Sequence, residues 1–187
     1  MNLWFRMIWL FLTASWRGSL TLPEAVSVLN LRVWPTDLDI SLHMNNGRYL
    51  TLMDLGRTDL ILRSGLWRHV MDNKWTPIAS AVTIRFRREL RPFQKFRLET
   101  RMLCWDATLA IIEQTFVIDG GARDGQVAAR ALFKGGIYDR RNKTFVPIAR
   151  LMDCVGITAA SPLPSAEVET FLHADDQLKR TDTGAAN

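Results

Sequence analysis

The chain has 187 residues, of which 48% are hydrophobic and 23% are charged, and its formal net charge is +5. This composition excludes a largely disordered protein, and the length suits one domain with a sizeable core. The positive charge is compatible with an anionic membrane surface or an anionic small molecule, whereas nucleic acid is disfavoured because the Arg and Lys residues are scattered without a long basic block. No cluster of Cys and His has the spacing of metal ligands, so we predict no metal site.

Residues 1–20 differ from the rest of the chain in composition. The stretch 1–16 is almost wholly apolar, with Arg6 as its only charged side chain and tryptophan at three positions. Its apolar run is shorter than the roughly 20 residues that span a bilayer. Three interpretations stay open: a secretion signal, an interfacial anchor with its tryptophans at headgroup depth, and a helix that packs on the domain. We favour a retained helix with peripheral membrane or partner contact in a cytoplasmic protein, with plain packing equally open.

The next segments predict a strand, a polar loop and a long helix. Residues 27–34 alternate loosely between apolar and polar side chains and predict the first strand. Residues 36–46 are too polar for a regular element. Residues 47–64 carry a broad apolar side, which predicts a mostly buried helix with Asn45 or Asn46 as its N-cap.

Four further segments alternate in the manner of β-strands. Their ranges are 78–87, 95–105, 108–119 and 126–138. Short connections between long strands predict an antiparallel meander. The pair Gly135–Gly136 predicts a bulge in the pairing of the last strand.

The predicted architecture is therefore α+β, with one long helix against a curved antiparallel sheet. Residues 147–154 predict a short helix, residues 166–178 predict a terminal helix, and residues 179–187 have the composition of a disordered tail. We divide the chain into an apolar amino-terminal segment (1–20), one domain (21–156) and a polar, partly disordered extension (157–187).

Polar side chains concentrate just before the long helix, in the sequence TDLDISLHMNNGRY from Thr36 to Tyr49. Hydrolysis of a thioester needs a base or nucleophile near the carbonyl carbon and donors aimed at the developing oxyanion. A carboxylate or imidazole upstream of the helix meets the first need, and the exposed N–H groups of the helix start meet the second. The same residue types are ordinary caps and turns, and composition alone favours that simpler interpretation.

The pattern D-x-D-x-x-x-H-x-N-N-x-x-Y changes that balance. It resembles the active-site segment of hotdog-fold thioesterases, including the 4-hydroxybenzoyl-CoA and acyl-carrier-protein branches. The longer stretch LDISLHMNNGRYLTLMDLGR, together with the apolar amino-terminal segment, is most similar to the thioesterase superfamily member 6 group. The resemblance covers about residues 29–154. It implies a hotdog fold, in which one long central helix is wrapped by a curved antiparallel sheet.

The resemblance also assigns the catalytic residues. It implies that Asp39, the second aspartate of the pair, is the catalytic carboxylate and that His43 assists it. Two positions depart from the pattern. Ser41 replaces an asparagine of the acyl-carrier-protein branch and offers no amide, and Leu42 stands where glycine is common, which predicts a narrower pocket mouth.

Further site residues follow from the start of the helix and from a basic run at the end of the second strand. The predicted oxyanion and substrate-positioning residues are Ser41, Asn45, Asn46 and Gly47. The predicted contacts to the phosphates of coenzyme A are Arg85, Arg87 and Arg88, although such a run is more often a solvated strand end. The resemblance implies a homodimer or tetramer that pairs edge to edge, with residues 78–88 of a partner completing the site.

The leading hypothesis is hydrolysis of an acyl-CoA or acyl-carrier-protein thioester. Asp39 would activate a water molecule or attack directly, and no metal or bound cofactor is required. The first alternative is a non-catalytic acyl- or lipid-binding module held at a membrane, which Ser41 and Leu42 slightly favour. The second is a hotdog dehydratase, which the motif fits less well.

Overall fold

The structure, a computed structural model, describes residues 2–184, with side chains described for residues 3–181. The α-helices in this range are α1 (Asn2–Thr13), α2 (Asn46–Arg63), α3 (Leu66–Asp72), α4 (Ile148–Cys154) and α5 (Ala166–Gly184). The strands are β1 (Val26–Arg32), β2 (Trp75–Phe86), β3 (Lys95–Trp105), β4 (Leu109–Asp119), β5 (Val127–Asp139) and β6 (Thr144–Phe145).

The strands form one antiparallel sheet in the order β1-β3-β4-β5-β2, with β6 paired to β5. This sheet and the helix α2 packed on it confirm the predicted α+β hotdog architecture. The predicted meander, however, holds only for β3, β4 and β5. It is wrong for β2, which pairs with β5 at one edge of the sheet rather than with β3.

The connection between β2 and β3 explains this difference. Its first residues, Arg87 and Arg88, donate backbone hydrogen bonds to the carbonyl of Ala128, in β5. Its later residue Phe93 donates to the carbonyl of Val33, which follows β1. The connection therefore crosses from one edge of the sheet to the other. A short connection between two strands predicts a hairpin in a flat sheet. In a strongly curled sheet the two edges come close together, and a short connection can then join strands that do not pair.

The helix α2 packs closely on the concave face of the sheet. Its buried side chains include Leu52 and Leu55, which share one hydrophobic core with Phe96 and Phe116. Gly56 permits this approach, because a Cβ atom at this position would lie 2.8 Å from Gln114 Nε2 and still closer to the hydroxyl of Thr100. The Gln114 amide in turn donates to the carbonyl of Met53, at 2.8 Å.

The predicted bulge lies where the two glycines indicated, but the extra residue belongs to the opposite strand. The register shifts on β2 between Ala79 and Ala81, opposite Gly135 and Lys134. A Cβ atom on Gly135 would lie 2.6 Å from the carbonyl oxygen of Ile78. Glycine is therefore needed here for the close approach of the two backbones.

The two ends of the chain are helical. At the amino terminus, α1 packs on α2, and its Leu10 is buried in the same core as Leu52. Within residues 2–184, none of the helices combines the length and apolar character needed to cross a bilayer.

At the carboxyl terminus, α5 continues to Gly184, so the disorder predicted for residues 179–184 is wrong. Val168 and Phe171 bury the helix against the outer face of the sheet, and Lys134 pairs with Asp175 at 3.0 Å. The remaining part of the predicted disordered tail, residues 185–187, lies outside the described residues.

Candidate active site

A tight turn before α2 carries the predicted catalytic residues. The backbone N–H of Asp39 donates to the carbonyl of His43 at 2.9 Å, and that of Leu42 donates to the carbonyl of Asp39 at 3.1 Å. Leu42 has φ +58°, a left-handed conformation that favours glycine. Its side chain is exposed and is not part of the cleft described below. Glycine would adopt this backbone conformation without strain, and Leu42, for which a narrower pocket mouth is predicted, does not line the cleft in the described structure.

The Asp39 carboxylate is fixed by its own turn. Its Oδ1 accepts a hydrogen bond from the backbone N–H of Ser41 at 2.9 Å, with the N–H of His43 at 3.5 Å. The residue is half-buried. The turn thus orients the carboxylate while leaving it accessible from solvent.

A cleft of about 340 Å³ opens between this turn and the end of β2. Six of the predicted site residues line it: Asp39, Ser41, His43, Asn46, Arg87 and Arg88. Met44, Tyr49, Phe86 and Glu89 complete the lining. The fold therefore brings a carboxylate, an imidazole, a helix start and two guanidinium groups to one opening.

Three of the predicted site residues lie outside this cleft. Asn45 is the N-cap of α2, and its Oδ1 accepts a hydrogen bond from the backbone N–H of Gly47 at 2.8 Å. The N–H of Gly47, predicted as an oxyanion donor, is therefore engaged in capping the helix. Arg85 lines a different groove, between β2 and α5 on the outer face of the sheet.

Asp37, the first aspartate of the pair, is fully buried and binds several groups at once. Its carboxylate accepts from Arg6 at 2.6 Å, from Arg48 at 3.1 Å and from the backbone N–H of Trp34 at 2.9 Å. Its carbonyl accepts from the N–H of Asn45, at 2.9 Å. Asp37 therefore ties α1 and the start of α2 to the turn that carries Asp39. Arg6 is the one charged side chain in the apolar amino-terminal helix. A lone charge in such a helix is the sequence feature that indicates a buried partner of opposite charge.

Two cleft residues were not assigned a role from the sequence. Tyr49 belongs to the recognised motif, and burial raises its pKa to about 12, so its phenol stays protonated at neutral pH. Its ring makes edge contacts with Phe86 and Phe116, at centroid distances of 5.0 and 4.9 Å. Glu89 has a lowered pKa because Arg91 donates a hydrogen bond to it, and the charges of Arg91, His43 and Arg123 add to this effect. An ionised carboxylate therefore stands in the same cleft as His43.

In the part of the chain that the structure describes, no three His, Cys, Asp or Glu residues are grouped so as to hold a metal ion. The cationic side chains at the cleft are Arg87, which is exposed, and Arg88, whose Nη1 donates to the carbonyl of Val127 at 2.9 Å. These guanidinium groups suit an anionic group rather than a cation.

The family model described as the thioesterase-like superfamily matches residues 33–171. The chain belongs to this superfamily. The predicted resemblance to hotdog thioesterases, and within them to the member 6 group, is confirmed.

Two similar proteins are THEM6 relatives. THEM6 of Danio rerio is 29% identical over 190 residues, which cover 98% of this chain and 89% of that protein. THEM6 of Xenopus laevis is 42% identical over 85 residues, which cover 46% of this chain and 41% of that protein. The Xenopus match thus spans less than half of the relative.

Among solved structures, YbaW, a probable thioesterase from Escherichia coli, superimposes with a TM-score of 0.62. The match covers 69% of this chain and 96% of YbaW at 19% identity. This likeness supports the fold of this thioesterase-like protein.

Proposed function

We propose that the protein hydrolyses an acyl thioester, either an acyl-CoA or an acyl-carrier-protein thioester. Membership of the thioesterase-like superfamily supports thioester hydrolysis in general. The observation that carries the assignment to this site is the cleft itself, in which Asp39 and His43 face the start of α2.

Asp39 is the group that acts on the thioester carbonyl, as a general base for water or as the nucleophile. Its Oδ1 is held by the N–H of Ser41, so the carboxylate is already oriented before substrate binds. His43 lies in the same cleft and assists by orienting groups or transferring a proton. After a single turnover in ¹⁸O-labelled water, label in the Asp39 carboxylate would establish a nucleophilic Asp39 whose mixed anhydride is hydrolysed at the aspartyl carbonyl. Label confined to the product acid fits both a general base and an anhydride hydrolysed at the acyl carbonyl, and rapid-quench trapping of an acyl-enzyme separates these two.

The start of α2 supplies the oxyanion donor. Because the N–H of Gly47 is bound by Asn45, the proposal centres on the backbone N–H of Asn46, which is the cleft residue at the first position of the helix. The partial positive charge of a helix amino terminus stabilises the negative charge that develops on the carbonyl oxygen.

The phosphate-binding role is proposed for Arg87 and Arg88. Both line the cleft at the end of β2, and guanidinium groups bind phosphate oxygens in a bidentate manner. Arg85 lies on the outer groove, so within one subunit it is not part of this contact.

We also propose that the active unit is a homodimer, or a dimer of such dimers, formed through β2. This strand is at the edge of the sheet, and its apolar residues Ile78, Val82 and Phe86 are exposed. An exposed edge of this length and character favours pairing with another strand. A two-fold related copy would cover the open side of the cleft, whose lining includes Phe86.

The test is a panel of acyl-CoA and acyl-carrier-protein thioesters, with release of free thiol as the readout. Steady turnover of at least one substrate class supports hydrolysis. Tight binding of acyl thioesters without thiol release would instead support a non-catalytic acyl-binding module. The same panel with enoyl and hydroxyacyl thioesters tests the dehydratase alternative.

A further inference from the structure

The helix α1 has two faces with different surroundings. Leu10 is buried in the central core, and Leu3 and Met7 pack against that core. The opposite face is exposed and almost wholly apolar. Its members are Trp4, Phe5, Ile8, Trp9 and Leu12, with Trp16 just beyond the helix. Trp4 is 78% exposed and Trp9 69%, values well above those of an aromatic residue that merely borders a core.

Ion pairs hold the inner face of α1 in place. Arg6 binds the buried carboxylate of Asp37 at 2.6 Å. Arg17, in the turn after α1, binds the buried carboxylate of Asp59 at 2.7 Å, and its carbonyl accepts from Arg63 at 2.7 Å. The helix is therefore fixed along the surface of the domain, and its tryptophan face is exposed.

Neighbouring residues extend this apolar surface. A groove of about 410 Å³ separates α1 from the edge strand β1, and Phe5, Trp9 and Val28 are part of its lining. The exposed ring of Trp34 packs edge-on against that of Phe93, with a centroid distance of 6.4 Å. Trp34 and Arg6 line one further depression, so the aromatic pair adjoins the helix.

The charges around this surface are mainly positive. The two cations of α1 and the turn after it, Arg6 and Arg17, are paired with the buried carboxylates of Asp37 and Asp59, so the positive charge at this surface comes from the neighbouring strands. Arg32 and Lys95 are paired neighbours in β1 and β3, are both exposed, and line the depression beside Trp34. One carboxylate, that of Asp119, also lines this depression, and Arg97 lies 3.8 Å from it.

We infer that the outer face of α1, together with Trp34 and Phe93, docks on the interface of a lipid bilayer that contains anionic phospholipids. Tryptophan is the side chain that favours headgroup depth, and basic residues beside an apolar face bind anionic headgroups. A protein partner is disfavoured because positions 4, 5, 8, 9 and 12 offer only the two indole N–H groups as polar contacts. Protein interfaces carry about one hydrogen bond per 100–200 Å².

The test is cosedimentation of the full chain with vesicles of phosphatidylcholine, alone or mixed with phosphatidylserine. We expect binding to the mixed vesicles that weakens with added salt. The variant Trp4→Ser/Ile8→Ser/Trp9→Ser should reduce the vesicle-binding constant at least about tenfold, because three interfacial apolar side chains are lost. The matched control is Met71→Ser/Leu163→Ser/Leu178→Ser, which removes exposed apolar residues elsewhere and should bind as the unmodified chain does.

A second measurement needs no variant. Phosphatidylserine vesicles with brominated acyl chains should quench part of the tryptophan fluorescence of the unmodified chain, and the triple variant should lose that quenching. Equal vesicle binding by the chain and its triple variant would overturn the proposal. So would light scattering that shows an oligomer dissociated by the triple variant without any vesicle binding, because a second copy would then cover this face.

Discussion

Two aspartates, only two positions apart, have opposite surroundings. Asp37 is fully buried against the guanidinium groups of Arg6 and Arg48, whereas Asp39 is half-buried at the cleft and held by a backbone N–H. Burial and paired charges make Asp37 a structural group. Accessibility and orientation make Asp39 the carboxylate that can meet a substrate.

This difference gives a prediction about stability. Asp37→Asn should lower the free energy of unfolding by about 3 kcal/mol, because Arg6 and Arg48 would lose their charged partner in a mostly buried site. Asp39→Asn is the matched control and should change it by less than about 0.5 kcal/mol. Urea denaturation measures both variants. Equal stabilities would show that the ion pairs around Asp37 do not hold the turn.

Leu42 gives a second prediction at this scale. Its left-handed backbone is strained for a side chain with a Cβ atom, while glycine adopts it readily. Leu42→Gly should raise the free energy of unfolding by about 0.5 kcal/mol, the relief of strain being offset in part by the greater entropy of unfolded glycine. Denaturant unfolding measures the difference in the free energy of unfolding. A clear loss of stability in Leu42→Gly would mean that the Leu42 side chain makes a stabilising contact whose loss outweighs the relief of backbone strain.

Among the elements, α2 packs closely on the sheet because residue 56 is glycine. Gly56→Ala improves the intrinsic helix propensity by up to about 1 kcal/mol, yet its new methyl group would collide with Gln114 and Thr100. We expect a net loss of about 2 kcal/mol in the free energy of unfolding, as overpacked cores show. The control Leu50→Ala, at an exposed position of the same helix, should be close to neutral. A stabilised Gly56→Ala protein would show that the sheet can move away from the helix.

Local sequence patterns predict where helices and strands lie better than they predict which strands pair with each other. Alternation located β3 and helical periodicity located α2, and the polar segment before α2 carries Asp39 and His43, which line one cleft. The pairing of β2 with β5 could not be predicted, because it depends on the curl of the whole sheet. The burial of Asp37 depends likewise on Arg6, which is 31 positions away in the chain.

At the scale of the whole molecule, the exposed strand β2 predicts assembly. Light scattering should give a mass of about twice 21.4 kDa, or four times for a dimer of dimers. Val82→Asp should abolish dimerisation and turnover together, because it places a charge on the paired edge. Val26→Asp, at the opposite edge strand β1, is the matched control and should affect neither. A fully active monomer would contradict a site completed by two copies.

We propose that Asp39 carries the chemistry, and the turnover of Asp39→Asn tests this role most directly. With the best acyl thioester from the substrate panel, kcat should fall by at least about 100-fold, on the scale of a lost general base. Glu89→Gln, which neutralises the other carboxylate of the cleft, is the matched control and should retain most of the activity. An Asp39→Asn protein that turns over substrate as fast as the unmodified chain would contradict the account and move the chemistry to another group.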